Sequence, residues 1–419
     1  MSVYVDDPKK TGHGLDKLNA FTEELHQWSL GGKKPALASR ELKYVLDCQR
    51  ARLDARGLSM EQKIDHVEDE VTGELVRRGE GIDAKVVYRE SVQQTVIRNS
   101  RKVLRKKKEP INIYATLLEK KGVRDFSCTC PNCGNTDLIS KMEDGCPYCG
   151  TVFEIEDVWP RFTAWYSVPG IVERAKTVRN LKKYLTIIFI CALVIMSFVT
   201  WYSHPDDDPI PRVIISPIVG AVTAGMIVVA CYMIFSFRLM GRVFFEAGRA
   251  MPLLGGMKTK RKVDNLIKNY EPDFSYSYFE GRLVSLLRAI AFTDDRGGLS
   301  IYEGNEDLSF FDSVIDMQYR GSLKLLSFKV EDGVIRMQLK AYMTNLRYED
   351  RLKRKDENYI VSIEKDIGAG ADLGFSLCSV KCRNCGSSFD ALHMKNCPYC
   401  GTPYKLVHDD WMITSIKRA

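Results

Sequence analysis

Cysteine spacing is what could do chemistry in this chain. Cys130-x2-Cys133 is followed, after twelve residues, by Cys146-x2-Cys149. Cys382-x2-Cys385 is followed, after eleven, by Cys397-x2-Cys400. A C-x2-C turn presents two thiolates to one ion, and a zinc ion takes four soft ligands in a tetrahedron at about 2.3 Å. The later turn of each set reads CPYCGT, and Gly150 or Gly401 lets the backbone bend toward the sulfurs. Two structural zinc ions are therefore expected, one per ribbon (130–149 and 382–400). Rubredoxin-like iron and buried or disulfide-paired thiols are the alternatives, the last disfavoured in a reducing compartment. Four cysteines fill every coordination position, so no place remains for an activated water.

Five of the 13 cysteines fall outside these sets. Cys128 and Cys378 stand just before the two ribbons, and Cys128 competes with Cys130 as a ligand. Cys191 and Cys231 lie in apolar runs and read as small apolar residues. Cys48 has no evident partner.

Little else reads as reactive. The six histidines are scattered and none joins an Asp and a nucleophile in a recognisable order. There is no phosphate-binding GxxxxGKS/T loop, nucleophile elbow or HExxH. Catalytic residues are thus expected to be none, and the protein is read as no enzyme. Formal charge is +7, which eight thiolates and two zinc ions would lower to about +3. The ribbon loops 134–145 and 386–396 are not basic. The run Arg98 to Lys108 holds seven Lys or Arg in eleven positions but lacks interleaved aromatics for base stacking. Nucleic acid is accordingly disfavoured as a partner, and the run reads as a solvated loop or a contact for anionic headgroups.

The elements that must position the ribbons come next. At 419 residues the chain has room for two or three domains. Tyr184 to Ser203 is uncharged over 20 positions, about the 30 Å of a bilayer core when helical, and Val213 to Phe237 is uncharged too. These predict a transmembrane hairpin over 184–237, its helices packing through Gly220, Ala221, Ala224 and Gly225. Basic flanks before Tyr184 and after Phe237, with Asp206, Asp207 and Asp208 between, orient both termini to the cytoplasm. The expected localisation is a multi-pass membrane protein, with the lipid bilayer as one partner.

The surroundings of the two ribbons are alike. CPYCGTVFEIEDVW (146–159) matches CPYCGTPYKLVHDDW (397–411), each preceded by a basic run and an apolar strand. LDARGLS (53–59) resembles TDDRGGLS (293–300). One module present twice is the expectation, over 1–166 and 262–419. In the second copy Ser277-x-x-Glu280 is a capping-box pattern. Phe279, Leu283, Leu286, Leu287 and Ile290 then form an apolar helical face. Ile335, Met337, Leu339 and Ala341 alternate with polar residues as a half-buried strand. Further strands are predicted over 323–330, 359–363 and 377–381, with the ribbon inserted before a closing strand near Trp411 to Ile416. The fold class is α+β: two related modules of helices on a curved antiparallel sheet, each with a zinc ribbon, flanking the hairpin.

Tyr270-Glu271-Pro272-Asp273-Phe274-Ser275, followed by Phe279 and the apolar helix, resembles the "DPxFS…F" entry of the Tim-forty-four-like domain. Glu271 stands where that pattern has Asp, and the ribbon lies outside it. The resemblance covers about 262–419 and, through the duplication, weakly 15–166. It implies a cone similar to the nuclear-transport-factor-two-like fold, found also in bacterial inner-membrane proteins, with an apolar pocket for lipid or peptide lined by Phe274, Phe279, Leu283, Leu286 and Leu287. The function expected from these features is a zinc-ribbon binding or adaptor protein in protein translocation or envelope maintenance, with a protein or lipid ligand and a homo-oligomer left open. The alternatives are an enzyme using the cone pocket and a nucleic-acid reader using the ribbons.

Overall fold

The computed structural model describes residues 4–5, 15–78, 82–99, 103–105, 109–120, 127–130, 132–142, 145–151, 160–169, 174–203, 215, 217–230, 232–233, 256, 258–370 and 375–419. The acidic connector 204–212, Trp159 and Cys231 fall outside these residues, as do the side chains of Cys128 and of the basic run 98–108. The chain divides into two compact units, one made of 1–170 with 252–419 and the other of 171–251.

The first unit is α+β, with antiparallel sheets. Its N-terminal part opens with the short strand β1 (Tyr4–Val5) and helices α1 (Leu15–Ser29) and α2 (Arg40–Asp54). Leu18, Phe21, Leu25 and Trp28 recur on one face of α1 and are all buried. Ser39 caps α2 by accepting the Leu42 N–H at 3.3 Å. Strands β2 (Leu58–Arg78), β3 (Ile82–Asn99), β4 (Val103–Arg105) and β5 (Glu109–Lys120) follow. The ribbon contributes β6 (Ser127–Thr129), β7 (Thr136–Leu138) and a single turn α3 (Ile139–Met142). Strand β8 (Arg161–Pro169) closes the sheet, whose order is β1-β2-β3-β5-β8 with β4 on β3.

The second unit contains α4 (Arg174–Ser203). The first unit resumes with a helical run over 258–268 and helix α5 (Tyr276–Phe292). The predicted apolar face holds: Phe279, Leu283, Leu286, Leu287 and Ile290 are all buried. The cap differs. Ser275, not Ser277, is extended and accepts the Tyr278 N–H at 3.3 Å, because the helix already starts at Tyr276. Strands β9 (Val314–Glu331) and β10 (Val334–Tyr348) form a hairpin through Asp332-Gly333, both at positive φ (53° and 75°) as a two-residue turn demands. Strand β11 (Leu352–Asp366) follows. The ribbon adds β12 (Val380–Lys381) and β13 (Ser388–Phe389), so of the predicted strand 377–381 only the end is extended. Strand β14 (Met412–Arg418) then returns to the sheet as expected, in the order β14-β11-β10-β9. Ile335, Met337, Leu339 and Ala341 are buried, and Arg336, Gln338 and Lys340 are half-buried between them.

In both sheets the cysteine segment sits between the last two strands. The matched strings LDARGLS and TDDRGGLS do not occupy matching places. The first leads from α2 into β2, whereas the second leads from α5 into a loop whose Tyr302 bridges Ile413. The segments 1–166 and 262–419 also do not stand apart. One core takes Val45 and Tyr166 from the first and most of its members from the second. Buried polar groups cross the seam. Arg52 Nη1 on α2 donates to the carbonyls of Ala291 (2.6 Å), Phe311 (2.9 Å) and Val314 (3.2 Å). Arg282 on α5 donates to Glu41, and its Nε lies 2.6 Å from Asp410 Oδ2.

The unit 171–251 holds α4 and a helical run over 217–230. Gly220 admits a close approach, since a Cβ there would lie 3.0 Å from the Ser197 backbone nitrogen, and Ala224 is buried. Among the described residues no helix is long and apolar enough to cross a membrane. That finding overturns the expected transmembrane hairpin over 184–237 and the multi-pass membrane localisation that rested on it.

Candidate metal centres

Each expected ligand set is assembled. The sulfurs of Cys130, Cys133, Cys146 and Cys149 lie within 4.8 Å of one another, and so do those of Cys382, Cys385, Cys397 and Cys400. Cys130 Sγ is 3.7 Å from Cys149 Sγ, and Cys133 Sγ is 3.6 Å from Cys146 Sγ. In the second set Cys382 to Cys400 is 3.5 Å and Cys385 to Cys397 is 3.7 Å. A tetrahedron with 2.3 Å arms has edges of about 3.8 Å, whereas a disulfide would need about 2.0 Å. Each set could hold one metal ion. The first cysteine of each turn is buried and the second exposed.

Four turns of one design build the two sites. The N–H of Cys130, Cys146, Cys382 and Cys397 donates to the carbonyl five residues on, at Asn135, Thr151, Ser387 and Thr402 (2.8 to 2.9 Å). The glycine after each second cysteine donates back to the first. Gly134, Gly150, Gly386 and Gly401 all have φ between 72° and 74°, a region that a Cβ disfavours. This is why the sequence spells Cys-x-x-Cys-Gly four times.

The residue two beyond each second cysteine does more than close the turn. The Thr151 hydroxyl lies 3.2 Å from Cys149 Sγ, the Ser387 hydroxyl 3.4 Å from Cys385 Sγ and the Thr402 hydroxyl 3.2 Å from Cys400 Sγ. Asn135 Nδ2 lies 4.0 Å from Cys146 Sγ. Asn132 Nδ2 joins the two turns of the first site by donating to Thr151 Oγ1 at 2.9 Å. These supporting residues carry a signal that ligand spacing alone misses: a polar side chain at the same offset in all four turns. The hydroxyls of Thr151 and Thr402, with the backbone N–H groups beside them, pull Cys149 and Cys400 down to about 6. Burial and the neighbouring thiols push Cys397 up to about 11 despite backbone donors. Close sulfurs thus give up their first proton easily and resist the rest, and a dication removes that resistance.

The residues expected to line a partner or lipid pocket are buried in the described structure. Phe274, Phe279, Leu283, Leu286 and Leu287 are packed into the main core, with Phe279 against Trp411 at 5.0 Å between ring centroids. None of them lines either of two cavities in the first unit. His393 and His408 each bond one carboxylate, Asp390 at 2.9 Å and Asp366 at 2.6 Å. Cys48 is half-buried beside Thr293, and burial raises its pKa. Glu280 on α5 turns inward and accepts the Tyr319 hydroxyl at 2.6 Å; burial raises its pKa, and it lines neither cavity.

No known protein family, curated protein or solved structure matches the chain.

Proposed function

We propose that this chain is a non-catalytic binding or adaptor protein in which two zinc ions, one in each four-cysteine site, hold exposed tyrosines toward a protein partner. The observation that carries this reading is a repeated one. Both CPYCGT turns present their tyrosine to solvent, Tyr148 at 81% exposure and Tyr399 at 66%. An aromatic ring held on a metal-stiffened turn loses little entropy on contact, as interface anchors require. Zinc is favoured because four thiolates in a closed tetrahedron suit a redox-inert structural ion. A catalytic reading would rest on a buried acid such as Glu280 facing a cavity, and Glu280 lines neither of the two cavities described in the first unit.

The segment 262–419 is proposed as a Tim-forty-four-like module. Three residues of the entry segment have a physical use, and Phe274 and Ser275 among them match the pattern. Glu271 ion-pairs with Lys365 at 2.7 Å, Phe274 enters the core, and Ser275 caps α5.

Elemental analysis of the purified chain should return two zinc atoms per chain. A photo-crosslinker at position 148 or 399 should capture the same partner, and the crosslink should vanish after chelation. Iron in place of zinc would remove the metal assignment. Crosslinks that differ between the two positions, or that survive metal removal, would remove the adaptor reading.

A further inference from the structure

One rung of the sheet β14-β11-β10-β9 sets lysine against lysine. Lys340 on β10 stands directly opposite Lys324 on β9 and Ile360 on β11, and Ile360 stands opposite Lys417 on β14. Residues paired across antiparallel strands point to the same side of the sheet. Their chain neighbours Leu323, Leu339, Ala341, Val361 and Ile416 are buried in the main core, so the rung points away from it. Lys324 and Lys417 are exposed, and Lys340 and Ile360 are half-buried. With strands about 4.8 Å apart, the rung runs about 14 Å across the sheet.

Like charges directly opposite each other destabilise a sheet. Other cations of these strands are answered by carboxylates: Arg336 by Glu331 and Glu364 (3.4 and 3.3 Å), and Arg320 by Asp356 (3.6 Å). Lys324 and Lys340 make no ion pair among the described residues, and Lys340 Nζ stands 5.9 Å from the Tyr342 ring centroid. The rungs on either side are uncharged. One holds Ser327, Gln338, Ser362 and Ser415, and the other Tyr342 and Asn358. Asp356 and Glu364, the carboxylates of β11 on this face, are each four residues from Ile360, about 13 Å along the strand. That exceeds the screening length of ~8 Å at physiological salt. Glu306, bonded to the Ser415 and Tyr302 hydroxyls, is near enough to interact with Lys417. The uncompensated pair is therefore Lys324 with Lys340.

We propose that this rung docks an extended acidic segment of a partner protein, with Lys324 and Lys340 as its principal cations and Lys417 at the far end. Carboxylates at i, i+2 and i+4 of an extended chain share one side over about 14 Å, the length of the rung. Ile360 gives that segment an apolar contact between the lysines. Tyr342 is half-buried, so the rung offers no free ring on which a base could stack. The surface goes beyond the adaptor reading above and uses neither the metal centres nor Tyr148 and Tyr399.

The probe is a fluorescein-labelled peptide of three glutamates alternating with threonine, titrated with the full-length, metal-loaded chain at low ionic strength. Further arms use the same peptide with glutamine for glutamate, labelled oligothymidylate, and phosphatidylserine vesicles. The glutamate peptide should bind saturably, the glutamine peptide should not, and added salt should weaken binding. Lys324→Gln and Lys340→Gln should each weaken the affinity about three- to fivefold, the loss of one exposed charge pair. Lys329→Gln, whose lysine already lies 3.9 Å from Glu331, should leave it unchanged. Equal binding of the two peptides would overturn the proposal. So would an affinity unchanged in Lys324→Gln and Lys340→Gln, an equal loss in Lys329→Gln, or tighter binding of oligothymidylate or vesicles than of the glutamate peptide.

Discussion

Thr151 and Thr402 do at the metal sites what ligands alone do not. Each hydroxyl sits 3.2 Å from the last sulfur of its set. Thr151→Val or Thr402→Val keeps the side-chain shape and deletes that contact. Metal affinity at the altered site should fall by about ten- to a hundredfold, the usual effect of losing a group that orients a ligand. Competition against a graded series of chelators measures it, and unchanged affinity would mean that the backbone N–H groups suffice. Glu280 makes a pH prediction at the same scale. Its folded pKa is raised by burial, so between the unfolded and folded values the native state holds more protons than the unfolded state. Stability therefore falls as pH rises through that window and stays lower above it. Glu280→Gln should match the parent in acid and exceed it at neutral pH. Urea melts of both proteins across the range test this, and a constant difference would refute it.

At the scale of elements, α2 and α5 are joined by charge. Glu41 and Asp410 flank Arg282, all three largely buried. Arg282→Met would leave two carboxylates facing each other without a cation, and breaking a buried pair in this way costs about 3–5 kcal/mol. Adding Glu41→Gln and Asp410→Asn should recover most of the loss in urea denaturation; no recovery would place the cost in packing instead. This cross-link also marks where sequence reading stops. Periodicity showed the face of α5 and the alternation of β10, because both depend on neighbours within one element. Nothing local links Glu41 to Arg282, 241 residues apart. The cap of α5 was misplaced by two residues for a related reason: Ser275 and Ser277 both precede an apolar run, and only the extended backbone at Ser275 distinguishes them. The pocket was not legible for the same reason, since an apolar helix face looks the same whether it meets a ligand or a filled core.

For the whole molecule, the two metal sites differ in their neighbours. Cys382 and Cys397 belong to the main core, together with Phe389 and Leu392. Cys130 and Cys146 share a small cluster with Met142. Cys397→Ser should therefore lower global stability and expose β11 and β14 to hydrogen exchange. Cys146→Ser should open only its own ribbon. Equal loss of protection in the two variants would contradict that division. The eight ligands and the sheet position of the second ribbon were legible from spacing. The unequal embedding was not, because the two ribbon sequences are nearly alike and only their surroundings differ.

Arg52 has a consequence for how the chain is made. Its guanidinium is buried against the carbonyls of Ala291, Phe311 and Val314. A ribosome adding about 5–20 residues per second needs roughly 13 to 52 s to travel from one end of that contact to the other. Throughout that interval the nascent N-terminal half carries a cation whose acceptors have not been synthesised. Early release or pausing inside 171–251 would therefore strand an adhesive half-product for chaperones to hold.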